Sequence, residues 1–199
     1  TNPCGEQPLP PHGACLLGSV NLVKFVVKQA DDTFIFDEAA FKAAIPNIVR
    51  AMDNIIDRAI YPLEEQKNSA HNKRRMGLGY TGLANAGEAL GYRYGSEEFL
   101  QWMEKIAVIY RDTAYRASVE LAKEKGPFPL FNADLYLESE FALTLPEDIR
   151  EDIRKYGIRN SHLLSIAPTG TISNVADNVS QGIEPPFSLY YDRKVQTFE

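Results

Sequence analysis

Cysteine is scarce in this chain, and several other features are missing. Its 199 residues include 2 cysteines, too few for a disulfide scaffold, so we expect a reducing, cytoplasmic location. No apolar run approaches the roughly 18 residues of a membrane-spanning helix and no signal-like N-terminus is visible, so we expect a soluble chain without a membrane partner. The 3 histidines lie far apart with no cysteine or histidine at ligand spacing, so we expect no structural metal.

A block of positive charge is also lacking. The formal net charge of -6 is spread over segments of mixed sign, and no basic stripe indicates a nucleic-acid partner. No G-x-S-x-G sequence occurs, so there is no nucleophile elbow, although a serine triad of another kind stays open. What the chain does have is 44% apolar residues, enough for a sizeable core in one domain or in part of a larger one.

The N-terminal stretch, residues 1–15, holds both cysteines among prolines and glycines, which predicts a stiff loop. If this loop is extended, Asn2, Cys4 and Glu6 point to the same side. A carboxylate raises the pKa of a nearby thiol, so the set suits a reaction in which the sulfur stays uncharged and Glu6 accepts a proton from a substrate hydroxyl. Spacing alone favours the plainer interpretation, a loop that happens to hold a cysteine and a glutamate.

A second chemical feature lies near the C-terminal end of the sequence. Residues 161–166 predict a buried strand that runs into a glycine-bearing loop with three hydroxyls and then a short helix. Such a loop can offer backbone N–H groups and hydroxyls to a phosphate, although an ordinary strand-to-helix turn explains it equally well. The residues that would line the phosphate site are Ala167, Thr169, Gly170, Thr171, Ile172 and Ser173.

Gly77, Gly79 and Gly82 have the G-x-G-x-x-G spacing of a dinucleotide site, but the residues before them are polar and basic. We therefore interpret the glycines as close packing of a short strand against a helix that starts near Thr81. The basic cluster that precedes them, residues 73–75, is typical of a solvated face.

Hydrophobic periodicity supplies the rest of the framework. It predicts helices over residues 38–61, with an interruption at Pro46, and over residues 96–126. A short helix is predicted for residues 146–156, and a buried strand for residues 15–27. Residues 127–145 are expected to be irregular with one turn of helix near Leu135, and residues 187–198 are expected to be extended.

Several segments resemble sequence motifs of the ribonucleotide reductase family. Residues 2–9, Asn-Pro-Cys-Gly-Glu-Gln-Pro-Leu, are similar to its finger loop, most of all that of the adenosylcobalamin-dependent class II enzymes. His12 and Leu16 depart from the tyrosine and asparagine expected there, and neither is a reacting group. Further similar segments are residues 13–15, 18–22, 75–84, 167–173 and 182–185.

This resemblance implies an α/β fold, a partial ten-stranded α/β barrel in which residues 1–199 form the C-terminal half as a single partial domain. It implies radical reduction of a ribonucleoside di- or triphosphate. Cys4, as a thiyl radical, would take the 3′ hydrogen atom, Glu6 would accept the 3′-hydroxyl proton, and Asn2 would hold a substrate hydroxyl. Cys15 would supply one reducing thiol. Adenosylcobalamin would be the radical source, and an external thiol reductant such as a thioredoxin would restore the thiols.

Other functions stay open at this point. The chain is also compatible with a fragment of a class I large subunit, or with a non-catalytic barrel fragment or association module. A thiol–disulfide protein using Cys4 and Cys15 as its pair is disfavoured, because their spacing of eleven is unlike a C-x-x-C site. Half a barrel exposes strand edges, so we expect that the chain needs the first barrel half for activity and self-associates alone.

Overall fold

The computed structural model describes residues 1–186 together with Ser188, Tyr190 and Asp192. The extended run predicted for residues 187–198 lies almost entirely outside the described part of the chain. The strands are β1 (Leu16–Asn21), β2 (Val26–Lys28), β3 (Phe34–Phe36) and β4 (Met76–Thr81). The helices are α1 (Glu38–Arg58), α2 (Glu64–Lys73), α3 (Leu83–Ala89), α4 (Glu97–Lys125), α5 (Ala133–Leu137), α6 (Glu140–Leu143), α7 (Glu147–Tyr156) and α8 (Gly170–Val175).

The strands β1 and β4 form the sheet that carries the site. They pair in parallel, in a register that places Leu16 opposite Met76. The strands β2 and β3 form a separate antiparallel hairpin. The single strand predicted over residues 15–27 is therefore too long. It stops early because the Asn21 side chain accepts a hydrogen bond from the Val23 N–H (3.1 Å) and begins a 3-10 turn.

The segment 161–166 runs parallel to β4. Leu78 donates its N–H to the carbonyl of Leu163 (2.7 Å) and accepts from the Ser165 N–H (2.9 Å), which closes a parallel bridge to Leu164. The pairing ends there, so the regular strand predicted for this segment is wrong in extent. The chain leaves the sheet after Ser165, whose hydroxyl bonds the N-terminal loop instead.

The glycines of β4 permit a close approach to this segment. A Cβ at Gly79 would lie 2.6 Å from the carbonyl oxygen of Ser165, and one at Gly77 would lie 2.8 Å from the Ser165 Cβ. The glycines therefore serve strand packing, as the sequence predicts, but their partner is the segment 161–166 and not the following helix. That helix, α3, begins at Leu83.

The long helices α1 and α4 pack against each other and against the sheet. Pro46 lies inside α1, where the sequence predicts a kink or a restart; the helix continues through it as one element, so the restart is wrong. The hydrogen bond that proline removes is outweighed because α1 buries an apolar face. The buried residues of that face are Phe41, Ile45, Val49, Met52 and Ile56.

The other helix predictions are largely confirmed. Residues 97–125 form α4, capped by the Ser96 hydroxyl, which accepts from the Phe99 N–H (3.3 Å), and ending at Gly126. Residues 147–156 form α7. Between them, where a single helical turn was expected, lie the two short helices α5 and α6.

The basic cluster, residues 73–75, is not the solvated face that the sequence predicts. Arg74 is 4% exposed, and its guanidinium donates to the carboxylates of Asp53 (2.8 Å) and Asp57 (2.6 Å) on α1. Asp53 lies on the apolar face of α1 and is fully buried. A buried carboxylate requires a paired cation, which explains why Arg74 is drawn inward.

The order of elements is that of an α/β fold. Three parallel segments, β1, β4 and residues 162–165, follow one another along the chain with helices between them. Within the described residues these segments do not close into a barrel. None of the helices in the part of the chain described is both long enough and apolar enough to cross a membrane.

Candidate active site

The residues around Cys4 form a tight turn and not the extended segment considered above. The Asn2 carbonyl accepts from the Gly5 N–H (2.9 Å), and the Asn2 N–H donates to the Gln7 carbonyl (2.9 Å). Pro3 occupies the second position of this turn, which its fixed φ favours, and Gly5 has a φ of 77°. The turn places Cys4 at its tip. On one side is Pro3, whose ring fixes φ, and on the other is Gly5, whose N–H is bonded to the Asn2 carbonyl.

This turn brings Asn2 and Glu6 together. The Asn2 side-chain amide donates to Oε1 of Glu6 at 3.1 Å, and Asn2 is 8% exposed. The backbone of Glu6 is held separately, because its carbonyl accepts from the Ser165 hydroxyl (2.8 Å). The second carboxylate oxygen, Oε2, is buried and has no hydrogen-bond partner among the described residues. Glu6 is thus fixed by one oxygen while the other is left for a donor from outside the described structure.

The two cysteines differ in their surroundings. Both are free thiols, so the pair does not form a disulfide in the structure. Cys4 is exposed, whereas Cys15 is half-buried beside β4. A Cβ at Gly77 would lie 3.0 Å from Sγ of Cys15, so the glycine leaves room for the sulfur. Cys4 is therefore the accessible thiol and Cys15 the enclosed one.

Charges next to Cys15 act on it in opposite directions. Burial raises the pKa of the Cys15 thiol to about 11, Arg75 lowers this pKa, and Glu6 raises it. Ser165 lies next to both Glu6 and Cys15. Its hydroxyl donates to the Glu6 carbonyl (2.8 Å). Its Cβ and the Cys15 sulfur lie 2.8 Å and 3.0 Å from the position of a Cβ at Gly77. The structure therefore places Asn2, Cys4, Glu6 and Cys15 in one region, at the start of β1.

The predicted phosphate loop begins with residues that are committed to internal bonds. Thr169 has a φ of 57° and is 5% exposed; its hydroxyl accepts from the Gly182 N–H (2.8 Å) and lies 3.0 Å from the Thr81 hydroxyl. Ser173 is 1% exposed and donates its hydroxyl to the Gly170 carbonyl (3.2 Å). These two hydroxyls serve the fold itself.

The first turn of α8 keeps other donors. The N–H groups of residues 170–172 stand before the first internal bond of the helix, which runs from Ser173 to Thr169 (2.8 Å). Thr171 and Ile172 are exposed, whereas Ala167 is buried. What the loop can offer a ligand is therefore backbone N–H groups and the Thr171 hydroxyl.

Comparison with known proteins decides the family. The sequence profile of the ribonucleotide reductase barrel domain matches residues 1–199. The chain belongs to this family. It is 37% identical over 195 residues to a vitamin B12-dependent ribonucleoside-diphosphate reductase of Mycobacterium tuberculosis H37Rv, covering 98% of this chain and 24% of the relative.

Two further reductases show how far the similarity extends. A vitamin B12-dependent ribonucleoside-diphosphate reductase of Thermoplasma acidophilum is 39% identical over 197 residues, which are 98% of this chain and 23% of the relative. The ribonucleoside-diphosphate reductase large subunit of an African swine fever virus isolate is 31% identical over 225 aligned residues, covering 100% of this chain and 28% of the relative. The chain thus spans about a quarter of the length of these reductases.

Sequence reasoning missed a buried network in this reductase-family chain. Asn160 donates to Asp53 (3.1 Å) and to the Arg74 carbonyl (3.1 Å), and Arg159 donates to the other oxygen of Asp53 (3.3 Å). The signal was present in the sequence, because Asp53 interrupts the apolar face of α1. A carboxylate on such a face predicts buried cations elsewhere in the chain.

Arg75 was also missed. Its Nη1 donates to the carbonyl of Pro8 at 3.1 Å, so it joins the start of β4 to the N-terminal loop. The basic cluster gave no sign of this contact, because the spacing of three consecutive cations does not show which of them turn inward.

Proposed function

We propose that this chain carries the catalytic loop of a ribonucleoside-diphosphate reductase that works by a radical mechanism. The observation that carries the proposal is the arrangement of Glu6: one oxygen is bonded by Asn2, and the other is buried without a described partner. An unmet buried acceptor costs roughly 1–3 kcal/mol. A substrate hydroxyl is a donor of the right kind to meet it. The exposed thiol of Cys4 lies on the same six-residue turn, Asn2 to Gln7.

Each residue then has a defined part in the reaction. Cys4, as a thiyl radical, takes the hydrogen atom from the ribose 3′ carbon and returns it at the end. Glu6 accepts the proton of the 3′ hydroxyl through its free oxygen, while Asn2 holds Glu6 and a substrate hydroxyl in place. The 2′ hydroxyl leaves as water. Two electrons come from Cys15 and a second thiol, which become a disulfide, and an external dithiol such as a thioredoxin reduces it again.

Adenosylcobalamin fits as the source of the radical. Several of the relatives carry vitamin B12 dependence in their names, and the thiol of Cys4 is exposed at the tip of its turn, where a bound radical source can reach it. The chemistry that this cofactor supplies when bound is an organic radical able to oxidise a thiol. A partner subunit would supply the same oxidant in a class I enzyme, so adding adenosylcobalamin to the assay separates the two.

The first turn of α8 suits the diphosphate of the substrate. The N–H groups of residues 170–172 and the Thr171 hydroxyl are donors for phosphate oxygens. The committed hydroxyls of Thr169 and Ser173 hold the loop in shape. Ala167 precedes these donors, and Ile172 contributes the last of the three N–H groups.

The remaining part of the barrel would come from outside these 199 residues. In the described structure β1 pairs only with β4, and the segment 162–165 also pairs only with β4, so each keeps an edge for a further strand. Residues 1–199 would be the C-terminal half of a ten-stranded barrel with the turn at residues 2–7 as its finger loop. The first half is the natural occupant of these edges, and a second copy of the chain could cover them in its absence.

The proposal is tested by assaying deoxynucleotide formation with the complete reductase. Cys4→Ser should abolish turnover, because an O–H bond is too strong for the radical to form. Cys15→Ser should still activate the substrate but block clean reduction, which would appear as release of free base. Normal turnover in Cys4→Ser overturns the proposal. Steady reduction by the 199-residue chain alone would instead show that the first barrel half is not needed for activity.

A further inference from the structure

Cys15 and Arg75 are neighbours by the register of the sheet. Leu16 pairs with Met76 in the parallel β1–β4 ladder, so the residues that precede each of them meet at the same end of the sheet. The Cys15 sulfur occupies the space that Gly77 leaves open. At the same end, Nη1 of Arg75 donates to the Pro8 carbonyl (3.1 Å), which fixes the guanidinium against the loop that leads into Cys15.

We propose that Arg75 is a positioning residue for the reducing thiol: it anchors the loop that carries Cys15 and places a fixed cation beside the sulfur. This rests on the proposed function, in which Cys15 is one of the two reducing thiols. Arginine suits the task because its fork can donate to a carbonyl while its charge stays permanent.

The need for a cation follows from the chemistry of re-reduction. A thiolate of the external dithiol attacks the sulfur that is bonded to Cys15; a mixed disulfide forms, the S–S bond to Cys15 breaks, and Cys15 leaves as a thiolate and then takes a proton. The second thiol of the dithiol then displaces the other thiolate from the mixed disulfide, so that the dithiol ends as a disulfide and both reducing thiols are restored. A leaving thiolate is better when its pKa is lower. Burial of Cys15 works against this by raising its pKa to about 11, and Glu6 works in the same direction. Arg75 is the group that opposes both.

The other titratable groups at this end do not replace Arg75. The pKa of His162 is lowered to about 4, first by loss of hydration of its ring and then by repulsion from Arg75 and Lys73, so the ring is neutral at pH 7. Lys73 ends α2, two residues before Arg75. It therefore offers a matched control: a cation of the same cluster that lies on α2, outside the β1–β4 pairing that brings Arg75 to Cys15.

The test measures the thiolate of Cys15 directly. In a Cys4→Ser background, Cys15 is the only thiol of these 199 residues, and its alkylation by iodoacetamide is followed at pH 7.5 to 9.5 by mass spectrometry of its peptide. Arg75→Gln and Arg75→Met should slow alkylation about threefold to tenfold, the size expected when the pKa of the thiol rises by roughly half a unit to one unit on loss of a neighbouring charge. Arg75→Lys should recover most of the rate, and Lys73→Gln should leave it unchanged.

Several results would overturn the inference. Wild-type alkylation rates in both neutral variants, equal slowing by Lys73→Gln, or no recovery with Arg75→Lys would each show that the Arg75 charge does not act on Cys15. Two neutral variants are used because, if circular dichroism shows that one of them fails to fold, the other still tests the inference. Alkylation needs neither nucleotide nor radical, so its outcome is independent of whether the reductase proposal holds.

Discussion

Glu6 and Asp53 are both carboxylates with buried oxygens, and they are held in opposite ways. Both oxygens of Asp53 are bonded: Oδ1 accepts from Arg74 (2.8 Å) and Asn160 (3.1 Å), and Oδ2 accepts from Arg159 (3.3 Å). Glu6 has Asn2 on one oxygen and no described partner on Oε2. The comparison teaches that Asp53 has its hydrogen-bonding capacity used within the fold, whereas Glu6 keeps one oxygen available, as our proposal for a substrate hydroxyl requires.

The electrostatics of Asp53 agree with a structural role. Burial alone would raise the pKa of this carboxyl group, but the hydrogen bond and charge of Arg74, the charge of Arg159 and the hydrogen bond of Asn160 bring the pKa below its ordinary value. Asp53 therefore stays ionised and joins α1 to the end of α2 and to residues 159–160. Removing it should damage the fold, whereas removing the charge of Glu6 should damage the chemistry.

The largest effect is expected for Glu6→Gln. The amide keeps a carbonyl oxygen for Asn2 but cannot accept the proton of the 3′ hydroxyl, so turnover should fall by roughly a hundredfold to ten-thousandfold. The free energy of unfolding should stay within about 0.5 kcal/mol of the wild type, since no described ion pair is lost. Steady-state kinetics and urea unfolding measure the two effects. A loss of turnover below tenfold would contradict the role of Glu6.

Asp53→Asn should mainly lower the stability of the fold, whereas Glu6→Gln should mainly lower turnover. The Asp53→Asn change leaves the buried Arg74 with only the partly exposed Asp57 as a charged partner and Arg159 with a neutral one, so the free energy of unfolding should drop by about 3–5 kcal/mol. Asp57→Asn is the matched control, because Asp57 bonds the same guanidinium (2.6 Å) but its side chain is 44% exposed. That variant should lose at most about 1 kcal/mol. Equal losses in the two variants would show that burial does not set the difference.

Sequence patterns predicted what depends on neighbours along the chain. The apolar face of α1 and the serine that caps α4 are signals of local structure, and the structure agrees with them. The spacing of residues 2–6 left a plain loop as the favoured interpretation, and only the resemblance to the family singled out the candidate site. Its geometry was not predicted, because a turn places Asn2 and Glu6 together through one hydrogen bond, whereas side-chain alternation assumes an extended backbone.

What the sequence could not show depends on contacts between distant residues. Arg74 and Arg75 are adjacent, yet one bonds Asp53 on α1 and the other bonds Pro8 in the N-terminal loop. By sequence, Thr169 and Thr171 are both candidate phosphate donors. Only the fold shows that the Thr169 hydroxyl already accepts a hydrogen bond from the Gly182 N–H. Each distinction is made by a residue more than a dozen positions away.

Thr171 and Ser173 in the phosphate loop allow the same comparison between a free group and a bonded one, with smaller expected effects. Thr171→Ala removes an exposed hydroxyl and should weaken nucleotide binding by roughly 1–3 kcal/mol without changing stability. Ser173→Ala removes a buried hydroxyl that is already bonded to Gly170, so it should lower stability by about 1 kcal/mol and leave binding nearly unchanged. Calorimetric titration with the diphosphate substrate and thermal unfolding separate the two. If only Ser173→Ala weakened binding, Ser173 and not Thr171 would be the hydroxyl that contacts the phosphate.

The smallest expected effect is a difference between the wild type and Asp53→Asn in how the free energy of unfolding depends on pH. A carboxyl whose pKa is lowered by folding stabilises the protein above its unfolded pKa of about 3.9, and this stabilisation is lost as the pH falls towards the folded pKa. In that range the unfolded chain binds the additional proton, so the free energy of unfolding falls with pH by at most about 1.4 kcal/mol per unit for this group. Asp53→Asn lacks the group. The gap between wild type and variant in urea unfolding should therefore narrow between pH 5 and pH 3, and a constant gap would show that Asp53 is not held ionised by its cations.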